Sequence, residues 1–366
     1  MTETTKTPGS TGREGLRRLY GTLWHHAEGV RHHVVAFLVL LFLAQAVRLS
    51  IPWFFGQAAN TLQTAGTQDV TAAAWAMAGM VGASVVGWAL HGPGRVLERF
   101  TAVRLRERMA DALYAKAVSL PLRWHEIHHS GETIQRMQTA TGALFGFAQH
   151  QFVYLQNLVS VVGPMVALFF VSTPVALAAM AGYAVIGIIL VRFDGMMLRL
   201  VRQENAAAAR YHAELIDCLG NISTVVTLRL QEATRRTVAA RYAAISEPLR
   251  GTVLVNEAKW GAIDLLNVGL KAGVVGLYAW LAWRQNGVIL VGSAVMVHQY
   301  ADQVGSVVNS MAGHWGDLMR HKADIANADD ILEAEARSGA GVELPIDWRG
   351  IQVEGLTFHH ASRRSG

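Results

Sequence analysis

The sequence predicts an all-α membrane protein of six transmembrane helices with long cytoplasmic extensions, followed by the β start of a further domain. Three observations carry this. First, mean hydropathy is +0.26 with only 16% charged residues over 366, too apolar for a soluble chain of this length. Second, six apolar stretches approach the ~20 residues that cross a bilayer core as helix. Third, 28 of the 32 Lys and Arg fall in the tail to Arg31, in 95–136, in 192–250 and after 313, whereas the intervening loops 57–69, 172–174 and 284–287 hold only Arg284. Basic residues resist translocation, so the rich side is cytoplasmic and both termini lie there, in the plasma (inner) membrane.

Taken in order, residues 1–19 form a cytoplasmic tail and 20–337 the membrane domain. Span 1 is 33–56, with Pro52 near its outer end, where a kink is tolerated. Span 2 is 70–94. After Gly92-Pro93-Gly94 no strong breaker occurs before Leu120, so 70–120 reads as one helix of roughly 75 Å at about 1.5 Å per residue. Span 3 is 147–171 and span 4 is 175–193, joined by Ser172-Thr173-Pro174. Spans 5 and 6, 260–283 and 288–312, meet at Arg284-Gln285-Asn286-Gly287. Continuous helix is expected over 175–218 and 230–283, and an amphipathic helix from His314 to Arg337. Residues 338–349 read as a linker, and 350–366 as an opening strand, since Ile351 to Phe358 alternates apolar and polar. Trp24, Trp53, Trp75, Trp260 and Trp283 lie near span ends, as interfacial anchors do.

The net charge of +5 is explained by the one-sided charge distribution, which points to anionic inner-leaflet lipid. No basic run is interleaved with base-stacking aromatics, which argues against nucleic acid as a partner. The single cysteine, Cys218, allows no internal disulfide and reads as a reduced structural residue. No cleavable leader is expected, because the first apolar run is too long and lacks a small-residue cleavage site.

Two short breaks cap the long cytoplasmic hairpins. One runs from Leu120-Pro121-Leu122-Arg123-Trp124 to His129-Ser130-Gly131-Glu132. The other centres on Gly220-Asn221-Ile222-Ser223-Thr224-Val225. Each is partly apolar yet far from the bilayer, so a partner surface must cover it. With the Gly355-Leu356-Thr357-Phe358 strand, these features in this order resemble the transmembrane half of an ABC exporter over about residues 20–366. The resemblance implies a second transmembrane subunit, as homo- or heterodimer, with helices 4 and 5 crossing to it. It also implies coupling helices at 121–131 and 219–228 that dock into ATP-hydrolysing domains supplied in cis or in trans. Pro121, Trp124, His129, Ser130, Gly131 and Glu132 in the first tip, and Asn221, Ile222, Ser223 and Thr224 in the second, would carry that coupling. The position of the family's adenine-stacking aromatic falls near His360. Mg-ATP is expected on the nucleotide-binding domain rather than on this chain. None of the five lysines ends a Gly-x4-Gly-Lys-Ser/Thr loop, and no Leu-Ser-Gly-Gly-Gln occurs.

Other motifs compete with that reading. His125-Glu126-Ile127-His128-His129 fits H-E-x-x-H, in which helical His125 and His129 would hold zinc and Glu126 act as base, making a membrane metalloprotease the alternative. The motif is boxed between Pro121 and Gly131, with no obvious third ligand, so no metal is expected. Ionisable groups at bilayer depth cost ~2.5–3.5 kcal/mol on insertion scales and face a cavity or a partner. Asp264, Asn267 and Lys271 share one face of span 5; His298, Asp302, Ser306 and Asn309 share one face of span 6; span 1 adds Gln45 and Arg48. These stripes either line a translocation path or satisfy one another, for example Asp264 or Asp302 with Arg48 or Lys271. An Asp264–His298–Asp302 relay would instead serve a proton-coupled carrier. Gly142-x3-Gly146 and Gly269-x3-Gly273 are small-residue pairs suited to close helix approach.

Overall fold

Long runs of Ala, Val, Leu and Met with few breakers leave helix as the way to satisfy the backbone in a bilayer. The computed structural model describes residues 12–65, 70–337, 349–350, 352–355 and 357, with the side chains of all but 12–15, 65, 309–312 and 315. Among these residues there are helices and no strand. They are α1 Gly12–His26, α2 Arg31–Arg48, α3 Ile51–Ala65, α4 Val70–Ser119, α5 Leu122–Ile127, α6 Ser130–Gln149, α7 Gln151–Val171, α8 Thr173–Gly220, α9 Ile222–Thr227, α10 Gln231–Asn286, α11 Val291–Ala326 and α12 Asp329–Leu332.

Five stretches are long and apolar enough to cross a membrane: 31–64, 70–119, 130–171, 173–220 and 231–286. The sixth expected span lies in α11, which has ample length at 36 residues. Its hydropathy is diluted by His298, Gln299, Asp302 and Gln303. The three long helices hold their expected lengths: α4 has 50 residues, α8 has 48 and α10 has 56. The tight hairpins are also present. α7 ends at Val171 and α8 begins at Thr173, while Gly287 stops α10 in the left-handed conformation at φ 68°.

Four expectations need correction. Span 1 is two helices broken at Leu49–Ser50, so Pro52 sits in the first turn of α3, where its missing N–H costs nothing. The break frees the Leu49 carbonyl, and Tyr300 Oη of α11 donates to it at 2.9 Å. Second, the loop expected at 57–69 is mostly helix, since α3 runs to Ala65. Third, span 3, expected at 147–171, begins at Gln151: residues 147–149 belong to α6, and His150 (φ −99°, ψ 7°) separates the two helices. Fourth, no separate helix runs from His314 to Arg337: α11 continues to Ala326, and only the short α12 follows. Residues 350, 352–355 and 357 are not in a strand, and the rest of the expected 350–366 strand, most of the 338–349 linker and His360 lie outside the described residues.

Two apolar cores organise the helices. The first joins Leu19 and Leu23 of α1 and Phe37 and Leu41 of α2 to Leu105, Met109 and Leu113 of α4. It continues through Leu144 and Phe147 of α6, Ile325 of α11 and Ile331 of α12. The second joins Leu168 of α7, Tyr183 and Ile186 of α8, Ile263 and Val274 of α10 and Val297, Tyr300 and Val304 of α11. Beyond Leu190 and Lys259 the α8–α10 hairpin buries little besides Ala207 and Val225. Its tip half therefore stands clear of the rest of the chain.

Candidate translocation path and coupling tips

The polar residues of α10 and α11 separate into buried and exposed sets. On α11, Val297, Tyr300, Ala301 and Val304 are buried, and His298, Asp302 and Ser306 face away from them, exposed. On α10, Ile263, Asn267 and Val274 point inward, and Asp264 is exposed. Lys271 Nζ reaches across to Asp302 Oδ1 at 2.7 Å, one of the pairings anticipated above. The side chain of Asn309 lies outside the described residues. No direct hydrogen bond links Asp264, His298 and Asp302 among the described residues.

The chain does not bring Gln45 and Arg48 to this stripe. Both belong to α2, which packs on α4 and α7. Gln45 is buried, and no partner for its Nε2 exists among the described residues. Arg48 is exposed, with its stem over Gly87 of α4. The expected Arg48–Asp pairs are absent among the described residues.

Sequence reasoning missed three polar constellations. Lys259 is buried and its Nζ meets Asp194 Oδ1 at 3.1 Å, joining α8 to α10 where spans 4 and 5 were expected to end. Both residues flank span boundaries of one antiparallel hairpin, a signal that could have found them. Glu98 is fully buried, paired with Arg95, and accepts the Phe152 amide at 2.8 Å. It thereby caps the first turn of α7. Burial pushes the Glu98 carboxyl up from its ordinary pKa, against the lowering pull of Phe152 N–H and Arg95. Third, α3 caps α11: Val291 N donates to Gln63 Oε1 at 2.7 Å and Ser293 N to Asn60 Oδ1 at 3.1 Å. Gln63 Nε2 donates to Ile289 O at 2.8 Å, so α3 supplies partners for amides α11 leaves open.

Close helix approach also falls elsewhere than expected. Gly142, Gly269 and Gly273 have nothing within 4 Å of an added Cβ, while Gly146 faces His321. The intimate contact is Gly56 against Gly292, on α3 and α11.

The two tips are short helices at the expected places. In the first, α5, Leu122 and Ile127 are each 68% exposed. Trp124 packs toward the first core and stacks on His128 at 4.1 Å. Pro121 and His129 flank the tip, and Ser130, Gly131 and Glu132 open α6. Arg136 holds the Glu132 carboxyl below its usual range. α5 ends at Ile127, and His128 and His129 are extended. His125 and His129 therefore do not share a helical face, His125 Nε2 instead lies 3.1 Å from Ala117 O, and the zinc geometry is lost. No group of three or more His, Cys, Asp or Glu could hold a metal among the described residues.

In the second tip, α9, Asn221 Nδ2 donates to Asp217, and Ile222, Ser223 and Thr224 are exposed. Val226 and Leu228 are exposed too. The tip closes with Leu230 N donating to Val225 O at 2.8 Å and Arg229 N to Val226 O at 3.2 Å. Arg229 has φ 55°, the left-handed position usually given to glycine.

A family model described as the ABC transporter transmembrane region matches residues 34–303. No curated protein matches the chain.

Proposed function

The chain belongs to the ABC transporter transmembrane family, and from that premise we propose that it is the permease part of an ATP-driven exporter moving an amphipathic cargo such as a lipid, drug or peptide. The observation that carries the cargo path is the exposed stripe of Asp264, His298 and Asp302 with Lys271. Polar groups at bilayer depth that their own chain leaves uncovered need water or a second subunit beside them. A path between two such subunits, lined by this stripe, answers that need. Six spans with both termini cytoplasmic fit the charge distribution, and α5 and α9 would receive the motor through their exposed Leu122, Ile127, Val226 and Leu228. Mg-ATP would be bound and hydrolysed by the nucleotide-binding domain, since no phosphate-cradling loop occurs in this sequence.

The test is uptake of a fluorescent amphiphile into inside-out vesicles from cells producing the protein together with a nucleotide-binding domain, in cis or in trans. Uptake should require ATP, and Asp302→Asn or Lys271→Met should lower it at unchanged membrane abundance. Unchanged uptake with reduced abundance would make the pair structural. Uptake that ignores ATP and collapses with an uncoupler would favour a proton-coupled carrier.

A further inference from the structure

The segment that leaves α11 is strapped across the base of the helix bundle. Ala328 and Ile331 are fully buried in the first core, beside Ile325. Asp329 pairs with Arg18 of α1. Asp330 pairs with Arg136 of α6, whose guanidinium also holds Glu132 at the exit of the first tip. Farther on, the Arg337 amide donates to Ser119 O at 2.9 Å, at the last residue of α4 before that tip. Four attachments thus hold 327–337 in place, and two of them, to Arg136 and Ser119, reach the two flanks of α5. Between strap and tip lies a groove of about 620 Å³ walled by Trp124, Ile127 and His128 on one side and Asp330, Glu333 and Glu335 on the other. Among the described residues no comparable tie reaches α9, which packs on α8 and α10 of its own hairpin.

We propose that this strap makes the chain after α11 and the first coupling tip one mechanical body, with Asp329, Asp330 and Ile331 as positioning residues. A load arriving through the residues after Arg337 then reaches α1, α4 and α6 directly, while the second tip moves on its own hairpin. The ion pairs are part-exposed and individually weak. Ile331, with no exposed surface, is the anchor, and the two pairs set its register. The mechanical meaning rests on the exporter reading above; the attachment itself does not.

The test is therefore made on the chain alone, by hydrogen exchange of the full protein in lipid nanodiscs. Peptides covering 327–337, 121–140 and 214–230 report strap, first tip and second tip. In Asp329→Asn/Asp330→Asn, strap and first tip should exchange faster together and the second tip should not change. Ile331→Ala should accelerate the same two peptides by roughly tenfold or more, as loss of a buried isoleucine implies. Exchanging the charges, Arg136→Asp with Asp330→Arg, should restore protection relative to Asp330→Arg alone. The proposal is overturned if the strap loosens and 121–140 stays protected. It is equally overturned if all three peptides accelerate alike, or if neither variant loosens the strap. A failed transport assay with intact co-protection would count against the exporter reading and leave the strap standing.

Discussion

Replacing Gly292 by alanine tests the close approach of α11 to α3 at Gly56. An added Cβ would fall inside van der Waals distance of the Gly56 carbonyl oxygen, 2.6 Å from Asn60 Oδ1 and 2.8 Å from the Asn60 amide nitrogen. Two of these obstacles are backbone, which cannot swing aside, so α3 and α11 must separate. Overpacking of this kind costs ~1–3 kcal/mol. Separation also lengthens the Ser293 N–Asn60 bond, already 3.1 Å, and the Val291 N–Gln63 bond of 2.7 Å. A lost N-terminal cap costs ~0.5–2 kcal/mol. Together these place Gly292→Ala at about 1.5–5 kcal/mol of destabilisation. Thermal unfolding in nanodiscs, followed by tryptophan fluorescence, reads it against Gly269→Ala, where nothing lies within 4 Å. Gly269→Ala should stay near the parent midpoint. Equal midpoints for the two variants would refute the reasoning.

Arg95→Ala should destabilise by about 3–5 kcal/mol by stranding the buried Glu98 carboxylate; because burial already holds the Glu98 pKa above its unfolded value, the folded form takes up the proton first. The loss should therefore grow as pH rises through that raised value and shrink below it, which thermal midpoints across a pH series would show. Burial, then His150, lowers the His321 pKa, so the unfolded chain binds the proton first and stability is lost as pH falls below the ordinary histidine value. His321→Gln should flatten that part of the pH–stability curve. Arg229→Gly should relieve the left-handed strain in the second tip, worth about 1 kcal/mol, and slow hydrogen exchange at 222–230; faster exchange there would show that arginine at 229 makes an overriding contact.

The legible parts of the fold were local. Apolar length and one-sided charge mark the spans, and Pro121 and Gly131 bracket α5 closely. Asn221 marks the start of α9 because a short polar residue there interrupts an otherwise helical pattern. What escaped was set by distance in the chain. Nothing around Gly56 announces that its partner is Gly292, and the glycine pair with the regular four-residue spacing, Gly269 and Gly273, touches nothing within this chain. Pro52 in the sequence points to a kink near a span's end, but the break falls at Leu49–Ser50, where Tyr300 Oη donates to the freed Leu49 carbonyl. Among the site residues, Lys271 with Asp302 was one of several possible pairings, and geometry selects it. Gln45 and Arg48 shared the chemistry of the stripe but not its location, which periodicity within one helix cannot reveal. His125 and His129 had the spacing for a metal, and Pro121 and Gly131 allowed too little helix for it.

The Lys259–Asp194 pair has a consequence for how far things move. Lys259 stands almost midway along α10, about 28 residues from Gln231 and about 27 from Asn286, so each arm is roughly 40 Å long at ~1.5 Å per residue. The outer arm is held in the second core by Ile263 and Val274 and tied to α11 by Lys271 and Asp302. The helix is thus a beam clamped along one arm, and a sideways displacement at the tip bends the free arm first. Only the tip-ward arm contains a proline, Pro248, so whatever compliance the beam has lies on the side where the push arrives.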